Sequence, residues 1–178
     1  MNRDIERILI TEEELKVRVK EMGKQISKDF EDRPILIVCI LKGSSIFFAD
    51  LIREIDADVQ IAFISAASYG SGSKSSGKVA MTNIMEIPIE DRSVLIVEDI
   101  VDSGRTIARI RESFLNERAV NVKVATLLDK PERREVDVKV EYTGFTIPDE
   151  FVVGYGLDYN QCYRNLPYVG VLKHEVYE

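Results

Sequence analysis

Four strand-like apolar stretches constrain the fold of this chain more than any other feature. They read "PILIVCIL", "VQIAFIS", "VLIVEDI" and "VKVATLLD". The first contains no polar residue, which is typical of a strand covered on both faces. Segments with helical periodicity, such as "IFFADLIREI" and "TIARIRESFLNE", separate several of these stretches. The pattern predicts an α/β fold with a doubly wound, mainly parallel sheet flanked by helices.

The two ends of the chain differ from this alternating pattern. Thr11 and Glu14 form a capping-box pattern that predicts a helix over about 12–30. The segment from 136 to 173 is rich in strand and turn residues and has no clear helical periodicity. We expect it to form a small strand-rich hood lobe together with the N-terminal segment, within a single domain spanning 1–178.

Composition disfavours several classes of function. The chain has 178 residues and a net charge of −7, which opposes nonspecific binding to nucleic acid. No segment approaches the ~20 apolar residues of a membrane span. The acidic N-terminal stretch lacks the apolar run of a signal peptide. We therefore expect no nucleic-acid partner, no membrane partner and a cytoplasmic location.

Few residues suit thiol or histidine chemistry. Cys39 lies inside the first apolar stretch and is interpreted as a small buried hydrophobic residue. Cys162 has no partner at metal-ligand spacing. His174 is the only histidine, and its place near the C-terminal end favours a surface position. A Ser-His-Asp triad is therefore not expected.

The stretch "GSKSSGKV" comes close to a nucleotide-binding P-loop. It contains Gly-x-x-x-x-Gly-Lys, but Val79 stands where a Ser or Thr would hold magnesium. No strand-to-helix transition surrounds it. We interpret it as a polar surface loop, long enough to act as a lid.

The stretch "VLIVEDIVDSGRT" carries the strongest functional signal. Glu98 and Asp99 end a buried strand, and ligands of open parallel sheets bind beyond that end. The segment 103–106 leads into a helix whose free N–H groups favour a phosphate. The alternative is a solvated helix cap formed by Asp102 or Ser103. Capping alone does not explain the other two acids, whereas a ligand with a phosphate, hydroxyls and bound Mg²⁺ does.

These residues resemble the phosphoribosyl-pyrophosphate (PRPP) motif of type I phosphoribosyltransferases, and most closely that of the hypoxanthine–guanine members. The resemblance extends from about Ile8 to Lys173 through "LKGSSIFFADL", "SYGSGSKSSGKV", "LLDKPERR" and "PDEFVVGYGLDYNQCYRNLPYVG". It implies purine salvage, in which Mg²⁺-dependent transfer from PRPP to hypoxanthine or guanine gives IMP or GMP and pyrophosphate. It also implies a homodimer or homotetramer.

The resemblance assigns residues to PRPP. Glu98 and Asp99 would hold the ribose hydroxyls and influence their magnesium, and the peptide before Lys42 would be cis. Ser68 and Tyr69 match the lid over pyrophosphate. Arg133 and Arg134 both remain candidates for a further cationic contact. The implied PRPP contacts are Lys42, Gly43, Glu98, Asp99, Asp102, Ser103, Gly104, Arg105, Thr106 and Arg164.

The resemblance also defines a purine site, with Asp102 as the catalytic residue facing N7 of the base. Lys130 only donates hydrogen bonds and therefore suits a 6-oxo group rather than a 6-amino group. Phe151 would stack on the purine, and the backbone of Val152 would contact its edge. Asp158 matches the acid at a second magnesium. Without the resemblance, Lys130 would be interpreted as a solvated loop lysine, Phe151 as a core strand residue and Asp158 as a turn-capping aspartate.

Two other functions are alternatives to purine salvage. A PRPP-sensing regulator that binds nucleic acid would need a basic surface or an added domain, and neither is evident. A pyrimidine or adenine transferase is disfavoured by Lys130 and by "EFVVGYGLDY". The sequence does not rank hypoxanthine, guanine and xanthine.

Overall fold

The computed structural model describes residues 3–31, 33–66, 81–83 and 88–177. The strands are β1 (Ile5–Ile10), β2 (Ile35–Leu41), β3 (Val59–Ala66), β4 (Met81–Asn83), β5 (Ser93–Val101), β6 (Asn121–Asp129), β7 (Tyr142–Thr146), β8 (Val152–Val153) and β9 (Val169–Leu172). The helices are α1 (Glu12–Asp29), α2 (Ser45–Arg53), α3 (Arg105–Asn116) and α4 (His174–Tyr177). No helix in these ranges is long and apolar enough to cross a membrane.

In the described ranges, six strands form the larger sheet, in the order β4-β3-β2-β5-β6-β7. Five of them are parallel, and β4 pairs antiparallel with β3 at one edge. Ile35, Ile37 and Cys39 of β2 belong to the core beneath α1 and α2, whereas Leu36 and Val38 belong to the core beneath α3. Helices on both faces confirm the predicted doubly wound, mainly parallel sheet.

The capping pattern before α1 acts as predicted. The N–H of Glu14 donates to Thr11 Oγ1 at 3.3 Å, and the N–H of Thr11 donates to Glu14 Oε2 at 2.8 Å. These two reciprocal bonds satisfy N–H groups that the first helical turn leaves unpaired. The helix begins at Glu12 and ends at Asp29, close to the expected bounds.

The strand β7 departs from the expectation that the whole C-terminal segment forms the hood. It pairs in parallel with β6 and extends the larger sheet. Tyr142 explains this position, because its ring is buried and its Oη donates to Asp29 Oδ2 on α1 at 2.7 Å. Arg18 of α1 also donates to the carbonyls of Thr143 and Gly144, at 2.7 and 2.9 Å. Contacts with α1 therefore hold this polar strand at the edge of the sheet.

The three remaining strands form a second, antiparallel sheet in the order β1-β9-β8. It joins an N-terminal strand to two C-terminal strands, as the hood expectation required. Ile5, Val153 and Leu172 form its buried cluster. Its first strand was not foreseen, because "IERILI" mixes charged and apolar residues and is only six residues long.

Candidate active site

Loops that follow three adjacent parallel strands meet at the C-terminal edge of the larger sheet. The N–H of Lys130, after β6, donates to the carbonyl of Val101, at the end of β5, at 3.0 Å. The N–H groups of Glu135 and Val136 donate to the carbonyl of Ser103 at 3.0 and 3.1 Å. The loop after β6 is therefore fixed against the loop after β5, at the edge where open α/β sheets bind ligands.

The loop after β2 begins with a cis peptide between Leu41 and Lys42, which confirms the expectation from the "LKGS" stretch. Ser44 is fully buried, and its Oγ donates to the carbonyl of Ile40 at 2.5 Å. The Nζ of Lys42 donates to Gln161 Oε1 at 3.4 Å. The lysine of this loop is therefore next to the loop that follows β8.

Gly43 packs directly against the carboxylate of Asp99. A Cβ placed on it would overlap the carboxylate of Asp99, and a Cβ placed on Gly156 would overlap the carbonyl of Gly43. Gly156 has φ +105°, which favours glycine independently. The backbone of Gly43 is thus packed between Asp99 and the loop that follows β8. The structure extends β5 to Val101, two residues beyond the strand end expected at Glu98 and Asp99, because Ile100 and Val101 still pair with β6.

Glu98 and Asp99 are two acidic residues that follow one another in the chain. Among the described residues, Glu98 Oε2 is shielded from solvent and has no hydrogen-bond partner. Burial raises the pKa of Glu98 well above its ordinary value, and the charge of Asp99 adds to this effect. Asp99 Oδ1 accepts the N–H of Ile100 at 2.8 Å. Glu98 is therefore protonated more easily than an ordinary glutamate.

The loop from Asp102 to Thr106 turns directly into α3. Gly104 caps the helix with φ +82°, and a Cβ there would meet the carbonyl of Val136. The N–H groups of the first turn have no partners within the helix, and they favour a phosphate. The side chain of Arg105 forms an ion pair with Glu135 and is therefore engaged within the protein.

The carboxylate of Asp102 belongs to a network of charges. Arg133 Nε lies 2.9 Å from Asp102 Oδ1, an ion pair without hydrogen-bond alignment. Arg133 Nη1 donates to Asp149 Oδ1 at 3.3 Å. Lys130 Nζ lies 3.5 Å from the same Asp149 atom. This network connects the expected catalytic acid with the expected purine donor through one arginine and one aspartate.

The two arginines that the sequence could not separate have different surroundings. Arg134 forms an ion pair with Asp129, and both side chains are mostly buried. The side chain of Arg133 is half exposed and contacts Asp102 and Asp149. Arg134 is therefore committed to the protein interior, whereas Arg133 lies at the open side of the site.

The expected purine residues lie close together. Lys130 is only 7% exposed, and its Nζ donates to the carbonyl of Glu150 at 2.7 Å. The next residue, Phe151, is 38% exposed although it is large and apolar. Val152 is buried and pairs with Val171 of β9. The lysine head group and the exposed ring thus lie beside one short backbone segment.

Asp158 and Arg164 form a second charged pair. Arg164 Nη2 lies 2.7 Å from Asp158 Oδ1, and Arg164 Nη1 donates to the carbonyl of Gly156 at 2.7 Å. Asp158 Oδ2 accepts the N–H of Gln161 at 2.8 Å. Because Gly156 packs against Gly43, this pair lies next to the loop after β2.

Ser68 and Tyr69 lie outside the described residues. Within the described ranges, no three His, Cys, Asp or Glu side chains are grouped to hold a metal ion, so Asp158 is not clustered with Glu98 and Asp99. Protein-bound Mg²⁺ is typically coordinated by one or two carboxylates together with substrate phosphates. The separate positions of Asp158 and the pair Glu98 and Asp99 are compatible with such coordination.

Sequence reasoning missed Asp149, Glu150 and Gln161. Asp149 links Lys130 to Arg133, and the backbone of Glu150 anchors the lysine. The only available signal was a pair of acids directly before an exposed aromatic residue in "PDEF". Two predictions were confirmed: Cys39 is buried and His174 is exposed.

A comparison with protein families identifies this arrangement. The model of the phosphoribosyl transferase domain matches residues 6–160. The chain belongs to the phosphoribosyltransferase family. The match covers both the PRPP-like loop and the loop that carries Asp158.

Individual relatives narrow the assignment. The chain is 47% identical over 178 residues to the hypoxanthine-guanine phosphoribosyltransferase of Bacillus subtilis (strain 168), covering 100% of this chain and 99% of that protein. It is 46% identical over 177 residues to the same enzyme of Streptococcus thermophilus (strain CNRZ 1066), covering 99% and 98%. A crystal structure of a hypoxanthine phosphoribosyltransferase from Staphylococcus aureus matches with a TM-score of 0.93 and 46% identity, over 98% of this chain and 95% of that one. The chain is thus a hypoxanthine-guanine phosphoribosyltransferase family member, and the expected place in purine salvage is confirmed.

Proposed function

We propose that this phosphoribosyltransferase transfers the 5-phosphoribosyl group of PRPP to N9 of a 6-oxopurine, and releases IMP or GMP and pyrophosphate. One observation carries the proposal at the level of residues. The phosphate-binding loop is connected to Lys130 by the chain of contacts through Asp102, Arg133 and Asp149. A site for the sugar phosphate and a site for the base therefore share one edge of the sheet.

The phosphate and ribose would be held by the loop after β5. The N–H groups and hydroxyls from Asp102 to Thr106 would bind the 5′-phosphate at the start of α3, where the helix dipole favours an anion. Glu98 and Asp99 would accept hydrogen bonds from the ribose 2′- and 3′-hydroxyls. Their position near the C-terminal end of β5, at the edge where open α/β sheets bind ligands, supports this role.

Pyrophosphate would be held between the loop after β2 and the loop after β8. Lys42 and the backbone of Gly43 supply one side, and Arg164 supplies a cation on the other. The packing of Gly156 on Gly43 supports this grouping. Ser68 and Tyr69 would close over the pyrophosphate.

The donor set of the site suits Mg²⁺, because its ligands would all be oxygen atoms. Asp158 would contact one ion, and Glu98 and Asp99 would influence another through the ribose hydroxyls. When bound, magnesium would neutralise charge that develops on the pyrophosphate. The protein would supply few ligands itself, in keeping with the absence of a three-residue cluster among the described residues.

The transfer breaks the bond from C1′ to the pyrophosphate oxygen and forms a bond from C1′ to N9. The purine loses one ring proton, and Asp102 would accept it. Nearby carboxylates would stabilise the positive charge that develops at C1′. The location of Asp102 supports this role, because Arg133 and Asp149 link its loop to Lys130 of the proposed purine site.

Lys130 would donate to the 6-oxo group of the base. Its ammonium is shielded from solvent and held by the Glu150 carbonyl and by Asp149, which fixes the direction of its remaining donor. Phe151 would stack on the purine, and the backbone of Val152 would contact the purine edge. An adenine 6-amino group would place a donor against this donor and is therefore rejected.

The assembly and location are also proposals. We propose a homodimer or homotetramer, which sedimentation velocity over a concentration series would test. We propose a cytoplasmic location, since neither cysteine forms a disulfide. Cysteines that are found oxidised in protein taken directly from cells would contradict that location.

The deciding experiment is a turnover assay with PRPP, Mg²⁺ and a panel of hypoxanthine, guanine, xanthine, adenine and uracil. We expect nucleotide and pyrophosphate in equal amounts from hypoxanthine and guanine, and none from adenine or uracil. The Lys130→Gln variant should have a clearly lower kcat/KM for hypoxanthine and guanine, whereas Lys139→Gln, on an exposed lysine, should retain the parent value. PRPP binding without turnover of any base would favour a regulator instead.

A further inference from the structure

The C-terminal helix α4 places an aromatic ring against the ring expected to hold the purine. The ring of Tyr177 stacks on the ring of Phe151, with centroids 4.8 Å apart and planes 20° apart. The ring of Tyr159 meets Phe151 edge-on, with centroids 5.6 Å apart and planes at 87°. Phe151 is therefore contacted by two aromatic rings, yet it stays 38% exposed.

Tyr177 is not a loose terminal residue. The N–H of Val176 donates to the carbonyl of Lys173 at 3.0 Å, and the N–H of Lys173 donates to the carbonyl of Asp4 at 3.0 Å. The His174 ring contacts the Tyr177 ring edge-on at 5.0 Å. Tyr177 also packs on the buried cluster of the smaller sheet. The smaller sheet therefore fixes the position of the tyrosine ring.

An exposed phenylalanine needs such a partner if it is to bind a flat ligand. Its ring can turn about two side-chain bonds, and binding a base would then require ordering the ring at a cost in free energy. A ring stacked on Tyr177 and touched by Tyr159 is already ordered. A base would then add to an existing stack.

We propose that Tyr177 is a positioning residue for purine binding, which holds Phe151 so that its remaining face receives the base. The inference rests on the proposed role of Phe151. The bound state would be a stack of three rings, in the order Tyr177, Phe151 and purine. The alternative is that Tyr177 covers the face that the purine needs, and the two possibilities predict opposite changes in purine affinity.

The first test compares Tyr177→Leu with Tyr177→Phe in steady-state kinetics. Tyr177→Leu keeps an apolar side chain but removes the stack, and we expect it to raise KM for hypoxanthine roughly two- to tenfold. Tyr177→Phe keeps the ring and should stay within about twofold of the parent protein. KM for PRPP and the rate of the chemical step should not change in either variant. A purely structural role would instead change both KM values and the melting temperature together.

A second measurement requires no stable variant. The tyrosine rings of the parent protein are isotopically labelled, and their NMR signals are followed as hypoxanthine is added together with a PRPP analogue and Mg²⁺. The chemical shifts of the Tyr177 ring report whether it remains stacked on Phe151. The proposal expects the Tyr177 ring signals to keep their stacked shifts when the site fills. Movement of these signals to solvent-exposed values would mean that the purine displaces Tyr177, and would overturn the proposal.

Phe151→Leu separates failure of this inference from failure of the proposed site. If Phe151→Leu raises the hypoxanthine KM and Tyr177→Leu leaves it unchanged or lowers it, Tyr177 does not position the ring and the purine site stands. If neither variant changes it, the stacking role of Phe151 falls as well. If both raise it and the double variant is no worse than Phe151→Leu alone, the two rings act as one unit, as proposed.

Discussion

Arg133 holds the carboxylate of Asp102 from the neighbouring loop, with 2.9 Å between Arg133 Nε and Asp102 Oδ1. This contact answers a question raised by the sequence, since an acid within a phosphate-binding loop should repel its ligand. The carboxylate is paired with Arg133. Arg133 also contacts Asp149, and Asp149 contacts the lysine of the purine site. The backbone of the loop remains available for the phosphate.

Asp102→Asn should therefore separate chemistry from PRPP binding. We expect turnover to fall by about 10²–10⁴-fold, because the amide cannot accept the purine proton. PRPP affinity should stay within about tenfold, because the loop N–H groups are retained. Pre-steady-state kinetics are needed, since slow nucleotide release can hide a slower chemical step. A normal chemical step with collapsed PRPP binding would make Asp102 a structural cap.

Arg133 and Arg134 should respond differently to replacement by glutamine. Arg134→Gln breaks a largely buried ion pair with Asp129, and we expect a loss of about 1–3 kcal/mol in the free energy of unfolding. Arg133→Gln should change it by less than about 0.5 kcal/mol, because that side chain is half exposed. Arg133→Gln should affect the kinetic constants more than Arg134→Gln. Urea denaturation and steady-state kinetics of both variants provide the check, and equal stability losses would contradict the distinction.

Lys130→Gln should weaken the use of 6-oxopurines much more than PRPP binding. Removing the charged donor to a buried oxo group should cost ~1.5–3 kcal/mol in kcat/KM for hypoxanthine. The affinity for PRPP, measured by titration calorimetry without base, should change little. Unchanged turnover and KM for hypoxanthine would remove Lys130 from the purine site.

Tyr142→Phe should destabilise the edge of the larger sheet in a pH-dependent way. The hydrogen bond from Tyr142 lowers the pKa of Asp29 below its ordinary value of 3.8. A lowered acid pKa contributes stability above the ordinary value and loses it as pH falls through the lowered one. We expect a loss of about 1 kcal/mol in unfolding free energy at pH 7, moderated by the exposure of Asp29.

The difference between the parent protein and Tyr142→Phe should shrink below about pH 4, as Asp29 takes up its proton. Urea denaturation at a series of pH values from 7 to 3 measures this change. A difference that stays constant over the whole range would show that lost packing of the phenol, rather than the bond to Asp29, causes the effect.

Much of this fold could be predicted because its signals are local. The apolar run of β2 and the capping box before α1 each specify an element within a few neighbouring residues. The position of β7 could not be predicted in this way, because it depends on Tyr142 reaching Asp29, more than a hundred positions earlier. Glu98 and Asp99 could be identified as candidate ligand-binding residues from the spacing of residues within their own stretch of sequence. The link from Lys130 through Asp149 to Arg133 was not, because it joins segments that only the folded chain brings together.

The pairing of β1 with β9 sets the order in which the protein can be completed during synthesis. Ile5 and Leu172 are register partners, so the first strand leaves the ribosome roughly 160 residues before its partner exists. Until then the backbone N–H and C=O groups of β1 are unpaired and can form hydrogen bonds with other nascent chains. The purine site is also completed late. Only at that stage can β8 join the smaller sheet and the helix that bears Tyr177 pack against it. A ribosome that stalls before β9 would therefore hold a chain with a nearly finished larger sheet and its phosphate loop, but with Phe151 and Val152 not yet held by β9 and α4.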